Sequence, residues 1–224
     1  MAAGDSQSAQ SKAVSWLRSA IVTGDLRPGQ QVIQDRVAGE TGLSVAPVRE
    51  SLRVLEQEGQ LTYIPRRGYF VTRLKVTDLE EIYGLRATLE PLAIRGAIPQ
   101  LDEDDMARLE ASARESAQAA GNGDVATELS ANRRFHFGFM EAPGQEHLMK
   151  LITMLWDATE AYRALYYNFP EERDAAVAAH EQMLDAIRDR DVELLIRLQQ
   201  EHRDRALNLL RGVLAASERI CTLA

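Results

Sequence analysis

Three of the four histidines in this 224-residue chain are spaced so that one metal ion or one bound acid could use them together. His136 continues a stripe with Leu129, Asn132, Phe139 and Met140. His180 continues one with Val177, Leu184 and Ile187, and His202 one with Leu195, Leu198, Ala206 and Leu209. Each stripe repeats every three to four residues, as the apolar face of a helix does, so the three imidazoles are predicted to meet in one core. A single histidine on such a face is most often a core residue satisfied by one hydrogen bond. Three neutral imidazoles in a dry interior each need partners for two ring nitrogens, and one divalent transition ion satisfies a nitrogen of all three. Asn132, one turn before His136, falls on the same face and offers a carboxamide oxygen. His147, just after Pro143-Gly144, has no such surroundings and reads as a surface residue.

Arg86 lies near the inward stripe Leu79, Ile82, Leu89 and Ala93 of another segment. It either pairs with Glu90 four residues on, an interaction of about 0.2–0.5 kcal/mol on a helix surface, or forms a fork for the carboxylate of a bound acid. Tyr162, Arg163 and Tyr166 could line the same cavity, although aromatic residues at helical spacing commonly serve the core.

A second kind of chemistry is concentrated in residues 33–70. A short helix ends at Thr41-Gly42, where glycine supplies the left-handed backbone of a tight turn. Ser44 stands where it can cap the next helix, which has Pro47 in its first turn and an apolar stripe of Val48, Leu52 and Leu55. Arg49 and Arg53 occupy its other face. Gly59 stops it, and two β-prone runs, 61–64 and 69–72, flank Pro65-Arg66-Arg67-Gly68, a hairpin with a basic tip. A cationic helix beside a cationic hairpin suits a DNA groove, and the order of elements reads as a winged helix-turn-helix.

Charge divides the chain in the same way. Residues 1–75 hold ten Lys and Arg against seven Asp and Glu, whereas the remainder holds sixteen against twenty-seven. Only the first part could sit on phosphate. From Val76 onward helical periodicity continues throughout: Thr77 or Asp78 caps a segment running to Pro99 and bent at Pro91, and others follow at 102–120, 124–141, 145–168, 171–189 and 191–214. The expectation is a mainly α chain: a polar, disordered tail at 1–10, a DNA-binding domain over 11–75, an all-α antiparallel bundle of six or seven helices over 76–214, and a short tail at 215–224. The lone Cys221 cannot form an internal disulfide and no run is apolar enough for a membrane span, so a soluble cytoplasmic protein is expected.

The first part, from Ser11-Lys-Ala-Val-Ser-Trp-Leu17 through Val71 and including the turn Leu26-Arg-Pro-Gly29, resembles the GntR family of bacterial transcription regulators. Where that family commonly carries Arg-Thr-Pro, this chain has Val45-Ala46-Pro47, so one expected DNA contact is absent. The second part resembles the FCD effector domain of FadR-type members at Leu85-Arg-Ala-Thr-Leu-Glu-Pro-Leu-Ala93, Asn132-Arg-Arg-Phe-His136, Ala179-His-Glu-Gln-Met-Leu-Asp-Ala-Ile187 and Glu201-His202. The resemblance implies Zn²⁺, Ni²⁺ or Mn²⁺ on Asn132, His136, His180 and His202, with Asn132 standing where an Asp is usual, and an effector carboxylate gripped by Arg86. It further implies a homodimer on a pseudo-palindromic operator, acting as a ligand-responsive repressor, with Arg49, Arg53, Ser44, Arg66, Arg67 and Gly68 at the DNA. Two other readings use the same histidines: a hydrolytic metalloenzyme and a direct metal sensor. The first lacks a His-Glu-x-x-His run, and its nearest acids, Glu181 and Glu201, adjoin ligands in sequence and turn away on a helix.

Overall fold

The computed structural model of the chain describes residues 2–222, with side chains over 9–214 except 161 and 165. Its contacts divide it into two units, Met1–Leu74 with Trp156–Ala161, and Lys75–Leu155 with Tyr162–Ala224.

The first unit contains α1 (Ala2–Val22), β1 (Gln31–Val32), α2 (Gln34–Thr41), α3 (Val45–Gln57), β2 (Leu61–Ile64) and β3 (Gly68–Val71). Its core is the apolar face of α1, Ala13, Leu17, Ala20 and Ile21, closed against Val37 and Ala38 of α2, Val48, Leu52 and Leu55 of α3, and Leu61, Tyr69 and Val71 of the sheet. The predicted stripe on α3 is therefore the buried one. Gly42 ends α2 at φ 67, and its N–H and that of Leu43 both return to the Ala38 carbonyl, which is the glycine-dependent turn expected. Ser44 is the residue before α3 but its side chain makes no capping hydrogen bond; the expectation of a cap there is corrected. The sheet is antiparallel in the order β1-β3-β2, with Thr62 opposite Phe70 and Gln31 also opposite Phe70. The two-residue β1 is too short to leave a periodic signal and was not expected from the sequence.

From Val76 onward the chain is helical, the second unit holding all of these elements but residues 156–161: α4 (Val76–Ala97), a single 3-10 turn at Ile98–Gln100, α5 (Glu103–Asn122), α6 (Val125–Gly138), α7 (Glu146–Ala158), α8 (Glu160–Tyr167), α9 (Pro170–Arg188) and α10 (Val192–Thr222). That makes seven helices among the described residues, because the segment predicted at 145–168 is broken in two. The break has a local cause: the N–H and hydroxyl of Thr159 both bond back to the Trp156 carbonyl, at 3.2 and 3.1 Å, tightening the turn and displacing the next i−4 bond. Helix α4 runs on through Pro91. It starts after Lys75, whose N–H donates to Asp78 Oδ2 at 2.9 Å, so Thr77 and Asp78 lie in its first turn rather than at its cap. Asp102 and Asp124 cap α5 and α6 by accepting the N–H groups of Asp105 and Thr127. The main packing pairs are α5 with α6 and α9, and α10 with α4 and α9.

Both expected tails are helical where described: α1 begins at Ala2 and α10 continues to Thr222, while residues 1, 223 and 224 lie outside the described residues. A helix already anchored by a packed face extends cheaply through alanine-rich sequence, since only its nucleus is costly. No described helix is long and apolar enough to cross a membrane.

Candidate metal centre and nucleic-acid interface

Three helices of the second unit bring His136 (α6), His180 (α9) and His202 (α10) together, and one ring nitrogen of each lies within 4.8 Å of those of the other two. His136 and His180 are buried and His202 is half-buried. The Nε2 atoms of His136 and His180 stand 3.3 Å apart, and the His202 ring stacks on that of His136 with centroids 5.2 Å apart. Phe135 and Phe139 wall the cluster edge-on. Burial holds all three imidazoles below their ordinary basicity, and each is pushed further by nearby arginines or by competition with a neighbouring imidazole for the same proton. For His136 the neighbours are the other two histidines, Arg86 and Arg163; for His202, brought down to about 4, they are Arg86, Arg203 and Arg205, opposed only by Glu90. His180 is lowered by burial and by His202.

These residues fit a divalent ion. Neutral imidazole is the metal-ligating form, and two nitrogens bound to one tetrahedral ion at ~2.0–2.1 Å stand ~3.4 Å apart, close to the 3.3 Å between His136 and His180. Asn132 is buried one turn before His136, and its Oδ1 has no hydrogen-bond partner. A buried, unsatisfied carboxamide oxygen costs about 1–3 kcal/mol, a cost that a cation or an ordered water removes. Glu181 and Glu201 are exposed, as the sequence reading required.

Arg86 is almost fully buried and its Nε donates to Glu90 Oε1 at 2.7 Å. The pair expected at i,i+4 is present, yet it is no surface pair. Glu90 Oε2 also accepts Gln199 Nε2 at 3.0 Å and Arg203 Nη1 at 2.8 Å, both from α10. Burial alone would raise Glu90, but Arg86 and Arg203, with the Gln199 hydrogen bond, hold it down to about 2. Gln199 and Arg203 were missed by the sequence reading, and Glu90 was expected only as an i,i+4 partner of Arg86. The signal was available: Gln199 and Arg203 are four residues apart and flank His202, and Glu90 is four from Arg86. Counting apolar residues alone set the inward face of α10 one residue off, at Leu198 and His202, when its buried line is Leu195, Gln199, Arg203, Leu210 and Leu214.

Tyr162, Arg163 and Tyr166 are all buried. Arg163 acts on His136 electrostatically and so belongs to the site's surroundings. The hydroxyl of Tyr166 donates to the Glu172 carbonyl at 3.2 Å, which ties α8 to α9. A further buried acid was also missed: Glu128, eight residues before His136 on α6, has neither carboxylate oxygen hydrogen-bonded. Burial raises its pKa to about 7, Asp174 adding to the rise and Arg173 opposing it.

In the first unit, Arg49 and Arg53 are exposed on α3, and Arg53 Nη1 pairs with Glu50 at 3.2 Å. Arg66 and Arg67 are exposed at the hairpin tip between β2 and β3. Arg66 is left-handed at φ 65 and Gly68 has φ 91. The Arg67 guanidinium lies 5.2 Å from the Phe70 ring centroid, and its carbonyl accepts Gln31 Nε2 at 2.6 Å, so β1 braces the tip.

The FCD domain family matches residues 81–205, and the bacterial regulatory proteins of the gntR family match residues 9–71. The chain belongs to the GntR-family regulators that carry an FCD domain. It is 29% identical over 178 residues to the HTH-type transcriptional regulator YdhC of Bacillus subtilis (strain 168), covering 79% of this chain and 80% of that one. It is 27% identical over 181 residues to the HTH-type transcriptional regulator McbR of Escherichia coli (strain K12), covering 79% and 81%. A further relative, the HTH-type transcriptional repressor GlaR of the same strain, is 23% identical over 67% of this chain and 70% of its own. The solved structure of E. coli McbR superposes with a TM-score of 0.80 at 24% identity, over 91% of this chain and 97% of the other, so the two share a fold. The regulator is thus a transcription factor and not an enzyme, which retires the hydrolytic reading.

Two outcomes follow from the buried charges. Replacing Glu90 with Ala leaves Arg86 and Arg203 facing each other in the interior and is expected to cost ~3–5 kcal/mol in urea denaturation; Glu110→Ala, which breaks only the exposed pair with Arg188, should cost under ~1 kcal/mol. The second concerns pH. Because the folded imidazoles sit below the ordinary 6.5 and the unfolded ones do not, acid protonates the unfolded chain first; their stabilisation is complete above 6.5 and is lost as pH falls below it, down to about 4 for His202. Glu128 acts in the opposite sense, since its raised pKa favours folding below 4.5 and loses that benefit as pH climbs towards about 7, but three groups oppose one. The melting temperature in the presence of a chelator should therefore fall from pH 7 to pH 5, and His202→Gln should flatten that slope.

Proposed function

We propose that the regulator binds a pseudo-palindromic operator as a homodimer and represses from it, and that a small carboxylate bound beside a metal ion in the FCD domain modulates that binding. The observation that supports the effector's chemistry is the positive charge around the histidine cluster: Arg86 and Arg163 act on His136, and Arg86 and Arg203 on His202, against the carboxylate of Glu90, while Arg205, which also acts on His202, is paired with Glu172. An anion is the ligand such a field favours.

His136, His180 and His202 would hold the ion, with Asn132 at its edge. A bound Zn²⁺, Ni²⁺ or Mn²⁺ would supply concentrated positive charge and positions open to an oxygen donor. Asn132 in place of an acid leaves that charge less compensated, which favours an anionic effector at the expense of metal affinity. Arg86, whose Nε donates to Glu90 Oε1, would supply the guanidinium that grips the acid. An acid gripped there engages side chains from α4, α6, α9 and α10 together, so its binding energy selects among arrangements of those helices.

On the DNA side, Arg49 is the base-reading candidate, because it is exposed on the N-terminal half of α3, whereas Arg53 is paired with Glu50. Ser44 precedes the helix with its hydroxyl uncommitted to capping and is placed to meet phosphate. Arg66, Arg67 and Gly68 form the tip that would enter the minor groove or contact phosphate. One recognition helix reads only a few base pairs, so specificity calls for two. GlaR, a relative described as a repressor, favours repression over activation.

Arg49→Ala is expected to weaken operator binding by ~1–3 kcal/mol and to relax base preference. Arg67→Ala should instead weaken binding evenly across sequences and lower its salt dependence. Gel shifts in which neither variant changes affinity or salt slope would refute the assignment of these residues. Metal is tested separately, by plasma mass spectrometry and calorimetric titration of organic acids. His180→Ala should lose both the ion and the effector response while still binding DNA, and Asn132→Asp should hold metal more tightly. Wild-type protein that stays metal-free after incubation with Zn²⁺, Ni²⁺ or Mn²⁺ would reduce the histidines to hydrogen-bonding pocket residues, and tight metal exchange that alone alters DNA affinity would make the ion the signal.

A further inference from the structure

Helix α4 buries two charged residues and exposes two of its four leucines. Arg86 and Glu90 face the interior, whereas Leu85 and Leu92 are 46% and 54% exposed. Exposed leucines of this size on one helix, beside buried charges on its other face, mark a surface that is covered in the working assembly. The exposed line along α4 reads Glu81, Gly84, Leu85, Thr88, Leu92, Arg95. It is symmetric about Thr88: Glu81 and Arg95 lie seven residues to either side, and Gly84 and Leu92 lie four to either side.

We infer that this face of α4 is a two-fold interface, and that its occupant is α4 of a second copy of this chain, running antiparallel and centred on Thr88. Apart from Leu85, whose counterpart is the half-buried Pro91, the sequence of the stripe is its own complement. Antiparallel pairing about Thr88 sets Glu81 against the partner's Arg95 at both ends, places the partner's Leu92 over Gly84, and leaves the small Thr88 on the axis. A two-fold contact must be self-complementary in this way, the same patch serving both sides. The offsets of four and seven are those of a seam with a 3.5-residue period, which keeps two packed helices in register along their length. A Cβ built on Gly84 meets no atom within 4 Å, so there is space for the incoming leucine. Arg95 is already held by Glu193 at 2.6 Å, but guanidinium has five donors and can serve a second carboxylate.

One helix pair falls short of the ~1,600 Å² of a standard interface, and α7 supplies the flank. Gln145, just before α7, donates Nε2 to the Leu92 carbonyl at 3.4 Å, and its side chain lies where a Cβ on Gly96 would stand. That seats the start of α7 against the end of α4. Leu151 and Met154 are 48% and 49% exposed on α7, with Lys150 exposed beside them, and would add apolar area to the interface. Because α4 carries Arg86 and Glu90 on its opposite face, a ligand that moves those side chains moves the interface helix with them.

The inference rests on the homodimer reading above and adds where the two chains meet. Sedimentation equilibrium on the full-length protein tests it. Glu81→Arg and Arg95→Glu should each weaken dimerisation at least ~10-fold by setting like charges opposite one another at two symmetric places, while the double variant recovers to near wild type. Leu92→Glu should yield monomer with an unchanged helical circular dichroism spectrum. In a Cys221→Ser background, Thr88→Cys should cross-link to a covalent dimer under mild oxidation, and Glu81→Cys should not. A wild-type dimer that none of these changes weakens, or single variants that weaken it without recovery in the double, would overturn the α4 pairing and leave the homodimer standing. A wild-type monomer at micromolar concentration would overturn both.

Discussion

The second unit is organised around a carboxylate that has no access to water. Glu90 is fully buried and accepts hydrogen bonds from Arg86 on its own helix and from Gln199 and Arg203 on α10. An isolated ionised carboxylate in that position would cost many kcal/mol, and each arginine left without it would cost a comparable amount, so the partners must arrive together. Such a cluster does little for net stability compared with an apolar replacement, but it is intolerant of misplacement. A rotation of α10 by one residue would substitute Leu198 and His202 for Gln199 and Arg203 and strand the charge. The rotational phase of both helices is thus fixed by ion pairing as much as by apolar packing.

That phase has consequences on every face of α4 and α10. Arg203 inward puts His202 at the margin of the core, where it reaches His136 and His180 while staying half-buried, giving the histidine cluster an open side. Arg86 and Glu90 inward puts Leu85 and Leu92 outward, on the face inferred to meet a second chain. The excess of arginine over glutamate in the cluster also lowers the basicity of the neighbouring imidazoles and prepares the region for negative charge. One ionic arrangement therefore sets the ligand chemistry, the geometry of the histidines and the exposed surface of the same helix.

The DNA-binding unit was legible almost residue by residue. Its signals are local: Gly42 at a left-handed turn, Pro47 in a first turn, Val48, Leu52 and Leu55 at helical spacing, and Gly68 after a basic tip. Local backbone preference and one apolar stripe per element suffice there, because the unit is small and, among its described residues before 75, only Thr41, Ser51 and Gln60 interrupt an otherwise apolar core. What escaped was the two-residue β1 and its Gln31 brace, both of which exist only through pairing with a distant strand. In the second unit the histidines were found because each sits near an apolar stripe, and Glu90 as the i,i+4 partner of Arg86, whereas Gln199, Arg203, Glu128 and the burial of Glu90 were not, because a pattern search counts buried charge as exposed.

By itself the sequence determined the class of fold, the order of its two parts, the sign of their charge, and the residue types available for chemistry; all of these follow from composition, local periodicity and the backbone demands of Gly and Pro. The tertiary structure alone decided which polar groups are inside. Whether Arg86 is a surface partner or the end of a buried cluster depends on Arg203, 117 positions away in the chain, and no local rule links them. The break at Thr159 belongs to the same category, since a side-chain hydroxyl competing for one carbonyl leaves no periodic trace. Burial of charge is a property of the assembled interior, where low dielectric makes pairing obligatory, and it takes the assembled interior to reveal it.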